Sequence, residues 1–165
     1  MTKSPVVFPP AISVFTDLRL LLAFGFGSGL SRIMPGTMGT LASLPFWYAL
    51  ALLPMWAYIA ILVAASVVGN YLCGYAANKL KVHDHGGIVW DEFVGMWICL
   101  IGIGHNAIHV LVGFVLFRIF DMVKPWPISL ADKHLGGGFG IMFDDVLAGF
   151  AALACLQGLI VFGGI

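Results

Sequence analysis

Long apolar runs separated by short polar segments dominate the chain. Residues 41–53 and 56–77 are two such runs, separated by Pro54. The second run is long enough for a helix that crosses a bilayer, which takes ~20 residues, whereas the first is shorter than this. We predict that the two runs form a hairpin that enters the membrane and returns, because Lys79 and Lys81 then lie on the same side as the basic N-terminal arm.

The apolar stretch from Phe93 to Phe117 decides whether the polar residues at its two ends can meet. A single helix through this stretch would place the acidic pair before it and the charged residues after it on opposite sides of the bilayer. Its middle carries turn-forming and polar residues, Gly102, Gly104, His105 and Asn106. The two remaining pieces, each ~16 Å long at 1.5 Å per residue, reach about halfway into a bilayer core of ~30 Å. We therefore predict a re-entrant hairpin that returns both polar clusters to one side.

The two ends of the chain complete the predicted fold. Residues 1–13 are expected to form a loose N-terminal arm, residues 15–32 an interfacial helix followed by a turn, and residues 146–165 a last apolar helix. On that last helix Ala148, Gly149 and Ala152 form a small-residue face suited to close helix packing. The prediction is a single all-α domain over residues 1–165, a compact multi-helix integral membrane bundle with its polar loops on the cytoplasmic side.

The composition supports a membrane protein and excludes some partners. Hydrophobic residues make up 61% of the 165 residues and charged residues 10%, with a mean hydropathy of +1.01. An ordinary globular chain carries about 25% charged residues. The formal net charge is zero, so no nucleic-acid partner is expected. Pro5, Pro9 and Pro10 interrupt the N-terminal stretch, so no cleaved signal peptide is expected.

The segment from residue 117 to residue 149 carries seven of the sixteen formal charges of the chain. Arg118, Asp121 and Lys124 follow one another at intervals of three residues, which places them on one face of a helix if the helix extends that far. Prolines at positions 125 and 127 would then end this helix. A glycine-rich loop at residues 136–140 and an acidic pair, Asp144 and Asp145, are predicted to lead into the last helix.

A second polar cluster lies before the predicted hairpin. Asp91 stands one helical turn before Gly95, and a carboxylate beside a glycine notch can approach a neighbouring backbone closely, as a tightly packed metal site requires. Glu92, the next residue, is the only glutamate in the chain. For His83 and His85 we favour roles in positioning other groups or shaping the loop over zinc ligation.

Two threonines precede the first apolar run. Thr37 or Thr40 is expected to cap a helix that begins there, and the free backbone N–H groups at such a helix start can bind an anion. An ordinary loop and cap remains the alternative. For His105 and His109, four residues apart, we favour polar side chains facing water at the hairpin tip over a metal site.

Five carboxylates thus fall in three short patches, next to Arg118 and Lys124. Oxygen ligands suit a hard divalent cation such as Mg²⁺, which typically takes one or two carboxylates together with waters and phosphate oxygens. The two cations and the amides of residues 36–40 would complement the charge of a phosphate. This pattern indicates phosphoryl chemistry on a lipid headgroup. Ion pairs that hold helices together are the alternative.

Five sequence blocks resemble a known family in order and spacing. They are residues 35–41 (PGTMGTL), 82–86 (VHDHG), 88–97 (IVWDEFVGMW), 117–128 (FRIFDMVKPWPI) and 140–149 (GIMFDDVLAG). Together they resemble bacterial phosphatidylglycerophosphatase A, a small Mg²⁺-dependent membrane phosphatase of phospholipid synthesis. The blocks extend from about residue 30 to residue 150, and no acidic position departs from the pattern.

The resemblance implies a phosphoric monoester hydrolase that converts phosphatidylglycerophosphate to phosphatidylglycerol and inorganic phosphate at the cytoplasmic face of a bacterial inner membrane. The implied metal and catalytic carboxylates are Asp91, Glu92, Asp121, Asp144 and Asp145. The implied phosphate contacts are Arg118 and Lys124. Our working mechanism is in-line attack by water on a metal-bound phosphomonoester, with a covalent nucleophile at Asp121 or Asp144 as the alternative. A small membrane transporter with intramembrane acidic residues, or an assembly protein with structural ion pairs, would be a different class of function.

Overall fold

The computed structural model describes residues 11–82, 85–126, 128 and 136–164, and within these ranges the chain is helical and contains no strand. The elements are α1 (Ala11–Thr16), α2 (Leu18–Ala23), a 3₁₀ helix (Gly25–Leu30), α3 (Pro35–Leu50), α4 (Met55–Leu80), α5 (Trp90–Cys99), α6 (Ala107–Val123) and α7 (Gly137–Gly163). The all-α prediction is confirmed for this part of the chain. The interpretations placed on His83, Pro127 and residues 1–10 fall outside it.

Within the described ranges, two helices are long and apolar enough to cross a membrane. α4 has 26 residues with a mean hydropathy of 1.7, and α7 has 27 residues with a mean hydropathy of 2.2. Large apolar side chains on the surface include Trp56, Val67 and Phe162, which are 76%, 69% and 90% exposed. A surface of this kind is expected of a protein that faces lipid rather than water.

The predicted hairpin of the first two apolar runs is present as α3 and α4. Trp97 of α5 donates from Nε1 to the carbonyl of Ser43 in α3 at 3.1 Å, and it accepts at its own carbonyl from the Tyr58 hydroxyl of α4 at 2.6 Å. Trp90, at the start of α5, donates to the carbonyl of Ala65, further along α4, at 3.1 Å. α4 therefore runs opposite to α5.

α3 begins at Pro35, six residues before the apolar run that predicted it. Proline suits the first turn of a helix because the N–H that it lacks would have no partner there. The prediction that Thr37 or Thr40 caps this helix is wrong. Met34 occupies the cap position in a left-handed conformation, and the Thr40 hydroxyl instead donates to the carbonyl of Gly36 at 2.9 Å.

The stretch from Phe93 to Phe117 is broken, as predicted. α5 ends at Cys99 and α6 begins at Ala107, and Gly102 between them has a φ of +71°, which favours glycine. The Asn106 side chain caps α6 by accepting from the amide of Ile108 at 2.9 Å. α6 then continues to Val123, so the helix does extend past Asp121 before Lys124 and Pro125 end it.

The glycine-rich loop predicted at residues 136–140 is wrong. Gly137–Gly140 form the first turn of α7, and Gly136 is its N-cap, so Asp144 and Asp145 lie inside the helix rather than at its start. Close packing explains Gly138, because a Cβ there would lie 2.0 Å from the carbonyl oxygen of Asn70 in α4. Gly138 therefore allows two long helices to touch, whereas Gly137 has a φ of +66° and meets no close neighbour.

The N-terminal segment is more ordered and more divided than predicted. Helix α1 already begins at Ala11, so the loose arm cannot extend to residue 13, and Val14 is fully buried in the core. The interfacial helix and following turn expected over residues 15–32 are divided further, because α1 ends at Thr16, α2 ends at Ala23 and the 3₁₀ helix follows. Residues with positive φ lie after α2, among them Gly25 at +52° and Gly27 at +96°.

Asp17 ties this N-terminal segment to the end of α4. Its carboxylate accepts from the amide of Arg19 at 3.0 Å, from the Tyr75 hydroxyl at 2.7 Å and from Lys79 Nζ at 2.6 Å. These contacts lower the pKa of Asp17 well below its ordinary value, and the hydrogen bond from Lys79 contributes most, with that from Tyr75 second. The Arg19 guanidinium lies 4.0 Å from the centre of the Tyr75 ring.

Candidate metal and phosphate site

Three buried carboxylates converge between α5 and α7. Asp91, Glu92 and Asp145 each offer one oxygen, and these three oxygens lie within 4.8 Å of one another. The residues are only 8%, 9% and 3% exposed. Like charges that are buried together cost several kcal/mol each unless they are paired or coordinate a cation. We call Asp91, Glu92 and Asp145 the acidic triad.

A glycine contact between the two helices brings the triad together. A Cβ on Gly149 of α7 would lie 2.5 Å from the carbonyl oxygen of Gly95 in α5, and a Cβ on Gly95 would lie 2.9 Å from the carbonyl oxygen of Asp145. Asp91 precedes Gly95 by one turn, and Asp145 precedes Gly149 by one turn. The helices run in the same direction at this contact, so backbone-to-backbone packing places the carboxylates side by side. The predicted glycine notch and small-residue face are confirmed.

The triad has the properties of a cation site. Glu92 Oε2 and Asp145 Oδ2 are buried and accept no hydrogen bond from the residues that the structure describes. A bound cation would satisfy these oxygens and remove the repulsion. Because all the ligand atoms are carboxylate oxygens, the residues fit a hard divalent ion such as Mg²⁺.

Arg118 links the triad to Asp121. Its Nη1 donates to Asp121 Oδ2 at 2.6 Å and lies 3.9 Å from Glu92 Oε1. This contact across the hairpin confirms that α5 and α6 return both charged clusters to the same place, and it confirms the predicted pairing of Arg118 with Asp121 on one helix face. Arg118 Nε is buried and has no hydrogen-bond partner within the described part of the chain.

Lys124 pairs with the fifth carboxylate. Its Nζ donates to Asp144 Oδ2, in a contact between the end of α6 and the interior of α7. Asp144 is 5% exposed and precedes Asp145 directly, so it lies next to the triad. The geometry therefore sorts the five acids into two groups. Asp91, Glu92 and Asp145 share one position, whereas Asp121 and Asp144 each contact a cation.

The first turn of α3 lies against the same site. A Cβ on Gly36 would lie 2.3 Å from Glu92 Oε1 and 3.3 Å from the terminal nitrogens of Arg118. Thr40 Oγ1 accepts from Arg118 Nη1 at 3.4 Å. Thr37 Oγ1 is buried and has no partner among the described residues. Sequence analysis did not predict the role of Gly36, although a glycine directly after the helix-starting proline was the available signal.

None of the described histidines joins the acidic triad. His85 is buried, and its Nδ1 accepts from the amide of Gly87 at 3.0 Å, which agrees with the predicted role in shaping the loop. His105 lies at the hairpin tip with its ring centre 4.3 Å from that of Tyr48. Among the described residues, the histidines belong to no metal-ligating cluster, and neither do His105 and His109 together.

The charges of the site do not balance. Asp91, Glu92, Asp121, Asp144 and Asp145 provide five carboxylates, and Arg118 and Lys124 provide two cations, which leaves an excess of three formal negative charges among the described residues. Ion pairs that only hold helices together would be expected to neutralise one another. The excess is instead what a site for a divalent cation requires.

Comparisons with known proteins identify the family of the chain. The family model described as Phosphatidylglycerophosphatase A matches residues 21–160. A phosphatidylglycerophosphatase A of Escherichia coli K12 is 53% identical over 137 residues, which are 82% of this chain and 80% of that protein. A phosphatidylglycerophosphatase A of Haemophilus influenzae is 46% identical over 144 residues, 86% of this chain and 88% of that protein.

A more distant relative carries a different name. A Bacteroides thetaiotaomicron protein named as a candidate phosphatidylinositol-3-phosphatase is 42% identical over 139 residues, 80% of this chain and 87% of that protein. No solved structure matches the chain. The extent of the family match and the identity to curated relatives show that this chain belongs to the phosphatidylglycerophosphatase A family.

Proposed function

We propose that the protein is a Mg²⁺-dependent membrane phosphatase that hydrolyses phosphatidylglycerophosphate to phosphatidylglycerol and inorganic phosphate. Membership of the family, whose members are named for this activity, supports a phosphatase of the phosphomonoester class. The observation that carries the proposal is the buried acidic triad, with its oxygens within 4.8 Å of one another and Arg118 beside it.

The distribution of charge supports a multi-pass protein of the bacterial inner membrane with its site facing the cytoplasm. Lys79, Lys81, Arg118 and Lys124 lie at the end of the helices where the site is. The turns at the opposite end, residues 51–54 and 102–106, contain no lysine or arginine. Cytoplasmic segments carry the excess of basic residues in bacterial membrane proteins. The site would therefore meet lipid headgroups on the cytoplasmic side.

In the proposed mechanism, the acidic triad would hold the cation, which when bound supplies positive charge to a phosphoryl oxygen. Arg118 donates to the phosphate, and its guanidinium is already fixed in orientation by Asp121. The first turn of α3, with Thr37 and Thr40, lies where it can contact the remaining phosphate oxygens.

Attack by water forms the new P–O bond, and the bond to the glycerol oxygen breaks in line with it. A carboxylate that takes the proton of the water can return it to the leaving glycerol oxygen. Asp121 and Asp144 are the candidates for this role because they are the two acids of the site that lie outside the triad. Trapping of an acyl-phosphate on Asp121 or Asp144 would replace direct attack by water with a covalent route.

The test is phosphate release from purified protein in detergent, without a membrane gradient. Phosphatidylglycerophosphate, phosphatidylinositol 3-phosphate and phosphatidic acid are compared with Mg²⁺ and with a chelator. We expect release from phosphatidylglycerophosphate that the chelator abolishes and added Mg²⁺ restores. If none of the three lipids releases phosphate, the proposal is overturned and a transporter is favoured. A preference for the inositol lipid would change only the proposed substrate.

A further inference from the structure

An apolar groove runs along the surface between α3 and α6 and encloses about 560 Å³. Its walls include Leu41 and Leu44 from α3 and Leu111 and Phe114 from α6. The two helices barely pack against each other along this length, so the groove is open to the side. No residue of the proposed catalytic machinery lines it.

One end of the groove lies beside the candidate site. Leu41 directly follows Thr40, and Phe114 precedes Arg118 by one turn. Thr40 and Arg118 contact each other across this end at 3.4 Å. At the other end lies His105, which lines the groove and whose Nε2 lies 3.4 Å from the carbonyl oxygen of Tyr48. The groove therefore leads from the polar site along the helices to the hairpin tip.

We propose that this groove binds one acyl chain of the lipid substrate and so positions the headgroup phosphate at the acidic triad. The inference rests on the proposed function and adds the part of the site that recognises the lipid tail. Its apolar lining matches a hydrocarbon chain, and its volume lies within the range of ~300–1,000 Å³ usual for ligand pockets.

The spacing along α3 fits a phospholipid with a polar headgroup. Gly36 lies against Glu92 at the site, and the groove is lined by Leu41 and Leu44, five and eight residues further on, which is ~7.5 to ~12 Å at 1.5 Å per residue. This distance leaves room for the headgroup between the phosphate under attack and the start of the chain. Arg118, at the mouth, can complement the negative charge of the headgroup.

The groove should act on orientation more than on affinity. Hydrocarbon in the bilayer is as apolar as the groove, so an acyl chain gains little by moving from one to the other. Holding the chain in one place does limit the positions open to the phosphate, and such positioning acts on kcat/KM. A lipid chain that contacts the apolar surface at no fixed position would not increase kcat/KM in this way.

The test compares groove-filling variants, Leu44→Trp in α3 and Leu111→Trp in α6, with control variants at exposed positions of α6 outside the groove, Ile108→Trp and Val115→Trp. Ile108 and Val115 are 60% and 46% exposed and do not line the groove. For each protein, kcat/KM is measured for long-chain phosphatidylglycerophosphate and for its deacylated headgroup. We expect the ratio of the two values to fall about tenfold in the groove variants and to change less than twofold in the controls.

An unchanged ratio in both groove variants, or an equal fall in the controls, would overturn the inference while leaving the proposed function intact. If the wild-type protein hydrolyses neither compound, the proposed function fails, and photocrosslinking decides the groove separately. A phosphatidylglycerophosphate analogue with a diazirine in its chain should label peptides 41–48 and 107–114, and excess unlabelled lipid should prevent this. Labelling spread over α4 and α7 that is not competed would contradict the groove.

Discussion

The contact between Gly149 and Gly95 gives the sharpest prediction. The methyl group added by Gly149→Ala would lie 2.5 Å from the carbonyl oxygen of Gly95, about 0.9 Å inside the 3.4 Å at which ordinary contacts begin. It would also lie 3.0 Å from Ile98 Cβ. Since backbone cannot rotate away as a side chain can, α5 and α7 must separate by nearly 1 Å. We expect overpacking to lower stability by ~1–3 kcal/mol.

The same separation should reduce activity, because Asp91 and Asp145 lie one turn from the contact on the two separating helices. A misplacement of ~1 Å at a catalytic site can cost on the order of 10²-fold in rate. We therefore expect Gly149→Ala to lose about this factor in kcat and to require more Mg²⁺ for half-maximal phosphate release. The assay is phosphate release over a Mg²⁺ titration, together with the thermal unfolding midpoint.

Gly158→Ala is the matched control on the same helix. No heavy atom lies within 4 Å of a Cβ at this position, so the substitution meets no clash. Alanine is favoured over glycine inside a helix by roughly 1 kcal/mol, so stability should rise slightly and activity should not change. If folded Gly149→Ala protein shows wild-type kcat and Mg²⁺ dependence, the helix contact does not set the triad geometry, and the reasoning is refuted.

Other predictions follow from the charged residues. Asp91→Asn or Asp145→Asn should lower kcat on the order of 10²–10³-fold with normal amounts of folded protein in the membrane, and near-normal phosphate release would remove that residue from the site. Arg118→Lys keeps the charge but loses the planar fork, so kcat/KM should fall ~10–100-fold, and unchanged kinetics would argue against phosphate binding there. Asp17→Asn should keep kcat but lower the thermal midpoint at neutral pH. Because Lys79 lowers the pKa of Asp17 in the folded protein, the wild type should be more stable than the variant by the full amount above the ordinary pKa of 3.8, and this difference in stability should disappear as pH falls below it. A difference in stability that grows on acidification would contradict this.

Much of the fold could be predicted because local signals are strong in an apolar chain. Pro54 separates two helices, Gly102 and Asn106 break the central stretch, and Pro125 follows the end of α6. Each of these residues acts through its own backbone or side chain, so no knowledge of distant contacts is needed. The meeting of Glu92 with Arg118 also follows from the predicted hairpin, since a reversal of chain direction is enough to bring them together.

The wrong predictions concern residues whose role depends on contacts with residues that are distant in the sequence. A run of glycines is ambiguous in sequence, because it suits a loop as well as a close helix contact, and only the carbonyl of Asn70 shows that Gly138 serves packing. The division of the five acids into the triad and the two cation-paired residues could not be predicted for the same reason. Asp144 and Asp145 are adjacent in sequence, yet one contacts Lys124 and the other joins the triad, and this depends on which side of α7 faces each neighbouring helix.

The turn at Gly102–Asn106 has a consequence for how such an enzyme works in a cell. Eleven residues of α6, about 16 Å at 1.5 Å per residue, separate Ala107 at this turn from Arg118, so the proposed site lies at one end of the molecule. On the proposed function, this site meets a single leaflet of a bilayer, and the lipid that it releases enters that leaflet. Supply of this lipid to the other leaflet would then require a separate flipping step.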